Sequence, residues 1–135
     1  MLNLDSDDFL RVLERSLGAS LARAAKPAFH LPPSVSIRYN PFKTGSPEGE
    51  LPFSGAGEET PWCKWGRILS SRPVFTLDPL FHAGCYYVQD SSAMFPGFIF
   101  RKALASMTGR QTLRVLDLCA APGGKSTQIA GYLQG

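Results

Sequence analysis

The most constraining feature of this chain is a run of small residues between two predicted regular elements near its C-terminal end. Val115, Leu116 and Leu118 form an almost continuous apolar run, which is typical of a strand covered on both faces of a parallel sheet. Residues 120–124, AAPGG, carry almost no side-chain bulk, so their backbone can approach a ligand closely. Free N–H groups at the start of a following helix favour negatively charged or polar ligand groups. The pattern predicts a strand, a ligand-binding turn and a helix.

A phosphate-binding loop is one interpretation of this turn. Gly124, Lys125 and Ser126 match the end of the pattern G-x-x-x-x-G-K-[ST], but Cys119 stands where its first glycine should be. Pro122 also lacks an N–H group of the kind with which such a loop surrounds phosphates. An ordinary strand-turn-helix connection would explain the glycines and the proline, but not a lysine directly after two glycines. We therefore disfavour both interpretations.

Residues 117–126, DLCAAPGGKS, resemble the first motif of the Nop/Sun family of RNA (cytosine-5) methyltransferases, D-x-C-A-A-P-G-G-K-[ST]. In that family this loop follows the first Rossmann strand and holds S-adenosylmethionine. The resemblance implies that S-adenosylmethionine is the cofactor and that the cofactor-binding residues are Cys119, Ala120, Ala121, Pro122, Gly123, Gly124 and Lys125.

Two upstream segments extend the resemblance. Residues 33–43, PSVSIRYNPFK, are similar to the S-I-R-x-N strand of the family's N-terminal domain. Residues 72–94 are similar to the segment that precedes the Rossmann domain, with its Y-x-Q-[DE]-x-S-S-M core, although the order of small residues after Asp90 departs from the commoner one. The resemblance places four residues near the methionine end of the cofactor: Gln89, Asp90, Ser91 and Ser92. Local chemistry alone favours a helix cap at Asp90 or Ser91.

The chain is predicted to be α/β, with two parts. An α+β N-terminal domain with helices and a small mixed sheet covers residues 1–90, and residues 91–135 begin a Rossmann-like methyltransferase domain. Phe9, Leu13 and Leu17 predict an amphipathic helix that Gly18 ends or kinks. Strands are predicted at 34–39, 68–76 and 83–89, and a helix at 93–106. Residues 43–60, rich in Gly, Ser, Pro and Glu, predict a flexible insert.

No catalytic residue is predicted within the chain. Methylation of carbon-5 of a pyrimidine needs a nucleophile that first adds at carbon-6. In the family a cysteine of a later Pro-Cys or Thr-Cys motif supplies it, whereas Cys63 belongs to an N-terminal-domain match and Cys119 to the cofactor loop. The three cysteines and two histidines are widely spaced, so neither a metal site nor a disulfide framework is expected.

The resemblance therefore implies the N-terminal portion of an S-adenosylmethionine-dependent RNA methyltransferase that acts on carbon-5 of cytosine in ribosomal or transfer RNA. The 135 residues alone are not expected to be active. The alternative is a noncatalytic RNA-binding or interaction module with a vestigial cofactor loop.

The composition of the chain limits the kinds of partner that it can have. No apolar run approaches the ~20 residues of a membrane-spanning helix, and the acidic N-terminus is unlike a secretory signal. A cytoplasmic protein without a membrane partner is expected.

A net charge of +3 is too small to indicate nucleic acid by itself. Trp62 and Trp65 could stack on bases or fill a core, and Arg38 could orient RNA or fix a strand end.

The predicted Rossmann strand would lack neighbouring parallel strands in this chain. Its apolar residues would then remain in water, which is unfavourable by ~25 cal/mol per Å² of apolar surface. We expect residues 113–119 either to pack on the 92–106 helix or to pair with the same segment of a second copy.

Overall fold

The computed structural model describes residues 7–45, 57–108 and 112–133. The chain divides into two compact units, one ending at Pro33 and the other beginning at Ser34. Within the described ranges no helix is long and apolar enough to cross a membrane.

The first unit is a kinked helix followed by a short turn of 3-10 helix. Helix α1 spans Asp7–Ala25, and Gly18 interrupts it with φ 77° and ψ 155°. A positive φ costs glycine little, which is why the interruption occurs there. The 3-10 turn covers Lys26–His30, and its Phe29 ring meets the Phe9 ring edge to face at 5.3 Å between centroids. The predicted kink at Gly18 is confirmed.

The second unit is organised around a four-stranded sheet. Its strands are β1 (Val35–Tyr39), β2 (Gly57–Thr60), β3 (Cys63–Leu69) and β4 (Tyr86–Val88), in the order β2-β3-β1-β4. Every pairing is antiparallel, whereas a mixed sheet was predicted. A two-residue turn joins β2 to β3, and so short a connection permits only antiparallel neighbours.

Short helices connect and flank the strands. Helix α2 is Pro41–Thr44, a 3-10 turn covers Phe75–Leu77, and α3 is Pro79–His82. After β4, a 3-10 turn at Ser92–Met94 leads into α4 (Phe95–Ser106), which confirms the helix predicted at 93–106. Helix α5 is Gly124–Leu133.

Two sequence predictions in the sheet region are wrong. The strand predicted at 68–76 ends at Leu69, because the chain bends at Ser70 and Ser71 and then enters a 3-10 turn. The predicted insert is not a loop at residues 57–60, where β2 pairs with β3 along the sheet edge. Backbone pairing outweighs the weak strand preference of Gly-Glu-Glu-Thr. Residues 46–56 of the predicted insert lie outside the described residues.

The core is built around the sheet, and β1 is buried on both faces. It contains eight buried residues: Ile37, Tyr39, Cys63, Trp65, Leu69, Phe75, Tyr86 and Met94. Trp62 packs against this cluster, and its indole Nε1 donates to the Ser91 carbonyl at 2.7 Å. Trp65 therefore fills the core, which was the alternative to base stacking, and Trp62 is half-buried against it.

The predicted Rossmann strand does not form. Within the described ranges, no strand pairs with residues 113–118, and the side chains of Leu116 and Leu118 are 81% and 87% exposed. The prediction that this segment packs on the 92–106 helix is wrong, because its leucine side chains remain exposed. Pairing with a second copy stays a prediction.

Candidate cofactor site

The loop between residue 117 and α5 is held closed by a single carboxylate. Asp117 Oδ1 accepts from the Cys119 backbone N–H at 2.9 Å, and Oδ2 accepts from the Ser126 hydroxyl at 2.6 Å. The Ser126 bond, followed by the Cys119 bond, lowers the pKa of the Asp117 carboxyl. Asp117 thus stays ionised and joins both ends of the loop.

The small residues give this loop its shape. Gly123 has φ 106°, a conformation that side chains other than hydrogen rarely allow, and the Ala121–Pro122 peptide is cis. The Gly123 carbonyl then accepts from the Thr127 backbone N–H at 2.9 Å and from its hydroxyl at 2.8 Å. These bonds begin α5 at the second glycine of the pair, Gly124.

Helix α5 is anchored to the rest of the unit through Gln128. This side chain is 2% exposed, and its Nε2 donates to the Met94 carbonyl at 3.0 Å. Gly97 of α4 leaves the space for it, since a Cβ at Gly97 would collide with the Gln128 amide. The start of α5 is therefore held in place by packing as well as by the loop.

The segment after β4 forms the opposite wall. Tyr87 donates its hydroxyl to the Pro122 carbonyl at 2.9 Å, which ties β4 to the loop. Asp90 Oδ1 accepts from the backbone N–H and the hydroxyl of Ser92 at 2.8 and 2.6 Å, and the hydroxyl bond is the main cause that lowers the Asp90 pKa. The predicted capping role of Asp90 is confirmed.

A cavity of about 200 Å³ lies between the two walls. Five of the seven predicted loop residues line it: Cys119, Ala121, Pro122, Gly124 and Lys125. Gln89 and Asp90 line it from the other side, whereas Ala120, Gly123, Ser91 and Ser92 do not. The structure thus brings together the two segments that the sequence singled out separately.

Three further residues that line this cavity were not predicted as site residues from the sequence: Tyr87, Val88 and Ala93. Tyr87 could have been found, because it occupies the tyrosine position of the Y-x-Q core. Ala93 carried no sequence signal, since it enters the cavity lining only through the 3-10 turn.

The cavity walls can accept part of an organic cofactor. A Cβ at position 124 would lie 3.2 Å from Gln89 Nε2, so a larger residue there would require the Gln89 amide to shift by a few tenths of an ångström. Ligand pockets usually measure about 300–1,000 Å³, so the 200 Å³ formed by this chain accommodates only one portion of a ligand the size of S-adenosylmethionine. The residues present fit such a group from one side.

Arg38 connects the sheet to the cofactor loop. It is 4% exposed and lies on the face of β1 opposite to Ile37 and Tyr39, because successive side chains of a strand point to opposite faces. Its Nε donates to Gln89 Oε1 at 2.9 Å, and its Nη2 donates to the Thr127 hydroxyl at 2.6 Å and the Gly124 carbonyl at 3.2 Å. Burial lowers the pKa of the Arg38 guanidinium. The sequence left two roles open for Arg38, orienting RNA or fixing a strand end, and the structure shows it bonded to the cofactor loop. Asn40 caps α2 by accepting from the Phe42 N–H at 3.1 Å.

Other candidate groups lie apart from this cavity. A second cavity, about 300 Å³, is lined partly by Arg38, Asn40, Phe42 and Tyr86 and by no residue of the 119–125 loop. The ring of His82 bonds the Thr76 carbonyl at 2.8 Å, in keeping with a structural role. The described ranges contain no cluster of His, Cys, Asp and Glu that could hold a metal ion.

Comparison with known proteins identifies the family. Residues 6–91 match the family model described as the N-terminal domain of 16S rRNA methyltransferase RsmF. The chain belongs to this family. Its predicted relation to the N-terminal portion of the Nop/Sun enzymes is thereby confirmed.

Similar proteins carry the same description. The ribosomal RNA small subunit methyltransferase F of Erwinia tasmaniensis is 31% identical over 137 residues, covering 96% of this chain and 25% of that protein. The protein of the same name from Shewanella baltica is 34% identical over 104 residues, covering 73% of this chain and 21% of that protein. The chain thus spans about a quarter of the length of these relatives.

A solved structure confirms the fold class. The methyltransferase homolog protein of Pyrococcus horikoshii aligns with a TM-score of 0.66 over 97% of this chain and 42% of that chain, at 23% identity. At this identity the similarity concerns the fold, and it confirms the α/β class.

Proposed function

We propose that this chain forms one wall of the cofactor site of an S-adenosylmethionine-dependent RNA methyltransferase. Its target would be carbon-5 of a cytosine in small-subunit ribosomal RNA, since the relatives are named as methyltransferases of that RNA. The observation that carries the proposal is the cavity in which the 119–125 loop faces Gln89 and Asp90. A cytoplasmic location, where ribosomal RNA would be available, belongs to the same proposal.

Different residues of the chain would bind different groups of the cofactor. N–H groups at the start of α5 and the Lys125 ammonium suit an anionic group such as a carboxylate. Ala121, Pro122 and Gly124 allow the ligand to approach the backbone. When bound, S-adenosylmethionine supplies an electrophilic methyl group on a sulfonium. The predicted binding roles of Ala120 and Gly123 would be indirect, through the shape of the loop.

The nucleophile that adds to the pyrimidine is proposed to lie outside these 135 residues. Cys63 is 2% exposed within the core, and Cys119 belongs to the cofactor loop. Neither belongs to the later Pro-Cys or Thr-Cys motif to which the family resemblance assigns the nucleophile. The chain is therefore proposed to bind and orient, and not to carry the covalent step.

The noncatalytic alternative has less support. A vestigial loop would be free to lose the bonds that shape it, yet Asp117, Ser126 and Thr127 all keep theirs. Of the two tryptophans that could have marked an RNA surface, Trp65 belongs to the core and Trp62 packs against it.

The cofactor assignment is tested by nuclear magnetic resonance titration of the ¹⁵N-labelled chain with S-adenosylmethionine at millimolar concentration. Backbone resonances of residues 119–125 and 89–90 should shift, and Gly124→Ala should reduce the response because its Cβ crowds Gln89. ATP serves as the matched control for a phosphate-binding loop and should produce no comparable shift. Equal responses to both compounds, or none to S-adenosylmethionine, would contradict the assignment.

The RNA assignment needs the whole gene product. Bisulfite sequencing of RNA from cells with and without the gene should show one or more 5-methylcytosines lost from small-subunit ribosomal RNA. Loss from transfer RNA instead would retain the enzyme class and change the substrate.

A further inference from the structure

The Arg38 guanidinium is a buried cation whose neighbours are neutral. Among the described residues it forms no ion pair, and its three hydrogen-bond acceptors are an amide, a hydroxyl and a backbone carbonyl. Burying a charge without an opposite charge is costly unless the hydrogen bonds hold it in a defined position. Two of these acceptors, Gln89 and Gly124, belong to residues that line the cofactor cavity, whereas Arg38 does not line it.

These bonds determine which way the Gln89 amide points. A guanidinium only donates, so the group facing Arg38 must be Oε1, and the Ala93 carbonyl only accepts, so the group facing it at 3.1 Å must be Nε2. The backbone of Gln89 is fixed as well. Its N–H donates to the Ser36 carbonyl at 3.1 Å, and its carbonyl accepts from the Ser36 hydroxyl at 2.6 Å.

Nε2 carries two hydrogens, and the Ala93 bond uses one of them. Nε2 is also the Gln89 atom nearest to the position of a Cβ at Gly124. A flipped amide would offer an acceptor oxygen at this place, but it would turn Nε2 towards Arg38 and lose both bonds. The wall of the cavity beside Gly124 therefore carries a hydrogen-bond donor.

The geometry points to Arg38 as a positioning residue of the cofactor site. It holds the Gln89 amide so that an N–H is available to the ligand, and it holds Thr127 and Gly124 so that the first turn of α5 keeps its place beside that amide. The ligand group selected by this arrangement is an acceptor, and a carboxylate, which only accepts, fits it best. This inference rests on the proposed function, since it concerns the same cavity and the same cofactor.

Replacement of Gln89 by glutamate separates this role from a structural one. In Gln89→Glu one oxygen still accepts from Arg38 and gains an ion pair, while the other replaces the donor next to the cavity. The variant also loses the bond to the Ala93 carbonyl, so the new ion pair and the lost bond act on the thermal midpoint in opposite directions and it should change little. S-adenosylmethionine binding should weaken by about tenfold or more, because a ligand acceptor would face a carboxylate. Ser106→Ala, which removes a hydroxyl bonded only to the Ala103 carbonyl, is the control and should change neither quantity.

A measurement without ligand tests the positioning directly. Hydrogen exchange of the Gln89 side-chain amide, followed by nuclear magnetic resonance, should be slow in the unaltered chain and about tenfold faster in Arg38→Met, with partial rescue in Arg38→Lys. Thr127→Val, which removes one Arg38 acceptor and leaves the guanidinium in place, should have a smaller effect in the same direction. If Arg38→Met fails to fold, Thr127→Val and Gln89→Glu carry the test.

The outcomes distinguish the inference from the function on which it rests. Equal amide exchange in the unaltered chain and the folded Arg38 or Thr127 variants would overturn the inference. Equal ligand binding by the unaltered chain and Gln89→Glu would overturn it as well, while leaving the proposed function intact. If S-adenosylmethionine shifts no resonance of the unaltered chain, the cofactor assignment fails, and the ligand-free exchange still decides whether Arg38 orients the amide.

Discussion

Strand β1 and residues 113–118 were both predicted to be strands, but they lie in opposite environments. In β1, Ile37 and Tyr39 are 0% exposed, and the strand pairs with β3 on one side and β4 on the other. In residues 113–118, Leu116 and Leu118 are more than four-fifths exposed and no described strand pairs with them. An apolar run thus becomes a strand only where neighbouring backbone satisfies its N–H and C=O groups.

Truncation of one buried and one exposed aliphatic side chain should produce the largest difference. We expect Ile37→Ala to lower the free energy of unfolding by about 2–5 kcal/mol, because it leaves a cavity among core residues. Leu118→Ala is the matched control and should change it by less than about 0.5 kcal/mol. Urea unfolding followed by circular dichroism measures both. Similar losses for the two variants would show that residues 113–118 are packed in solution.

The exposed segment should also promote self-association. Residues 113–119 are predicted to pair with the same segment of a second copy, because an unpaired apolar edge favours added strands. Multi-angle light scattering at increasing concentration should show a dimer, and Leu116→Lys should return it to a monomer. The control Leu77→Lys alters a residue that is 79% exposed in another part of the chain and should leave the dimer intact. A monomeric unaltered chain at all concentrations would contradict this prediction.

Binding of S-adenosylmethionine should be weak, because this chain supplies only one wall of the cofactor site. The residues that precede the loop are exposed, and no described strand pairs with them. The chain forms a cavity of about 200 Å³ and so buries only part of the ligand. We expect a dissociation constant above the micromolar range by calorimetry. The full gene product should bind more tightly, and Gln89→Glu should weaken binding in both. Micromolar affinity of the chain alone would show that one wall is sufficient.

The smallest expected effect is on the pKa of Asp117, whose carboxylate accepts the two hydrogen bonds that hold the loop. Because the Asp117 pKa is lower in the folded chain, its carboxylate stabilises the loop above the unfolded value of about 3.9, and this stabilisation is lost as the pH falls through the folded value. A ¹³C titration of the carboxyl group should give a midpoint below about 3.9. Ser126→Ala should raise that midpoint by removing the main bond. A midpoint unchanged by Ser126→Ala would mean that the loop is open in solution.

Local chemistry made several elements predictable. Helix α1 with its Gly18 kink, strand β1, helix α4 and the Asp90 cap follow from periodicity, glycine conformation and capping within a few residues. The family was recognisable because ten consecutive residues of the loop and the strand that carries Arg38 match its motifs. The β2 edge strand was missed because its composition resembles a loop, and only pairing with β3 orders it.

The sequence by itself determined the family and the segments from which the cofactor cavity is built, since motif and periodicity are properties of neighbouring residues. Only the tertiary structure decided that Arg38 meets Gln89 and Thr127, residues 51 and 89 positions away along the chain. Only the tertiary structure decided, too, that residues 113–118 remain unpaired. The physical reason is the same in both cases: hydrogen bonds between distant segments depend on which backbone and side chains the fold brings into reach, and no local pattern encodes that.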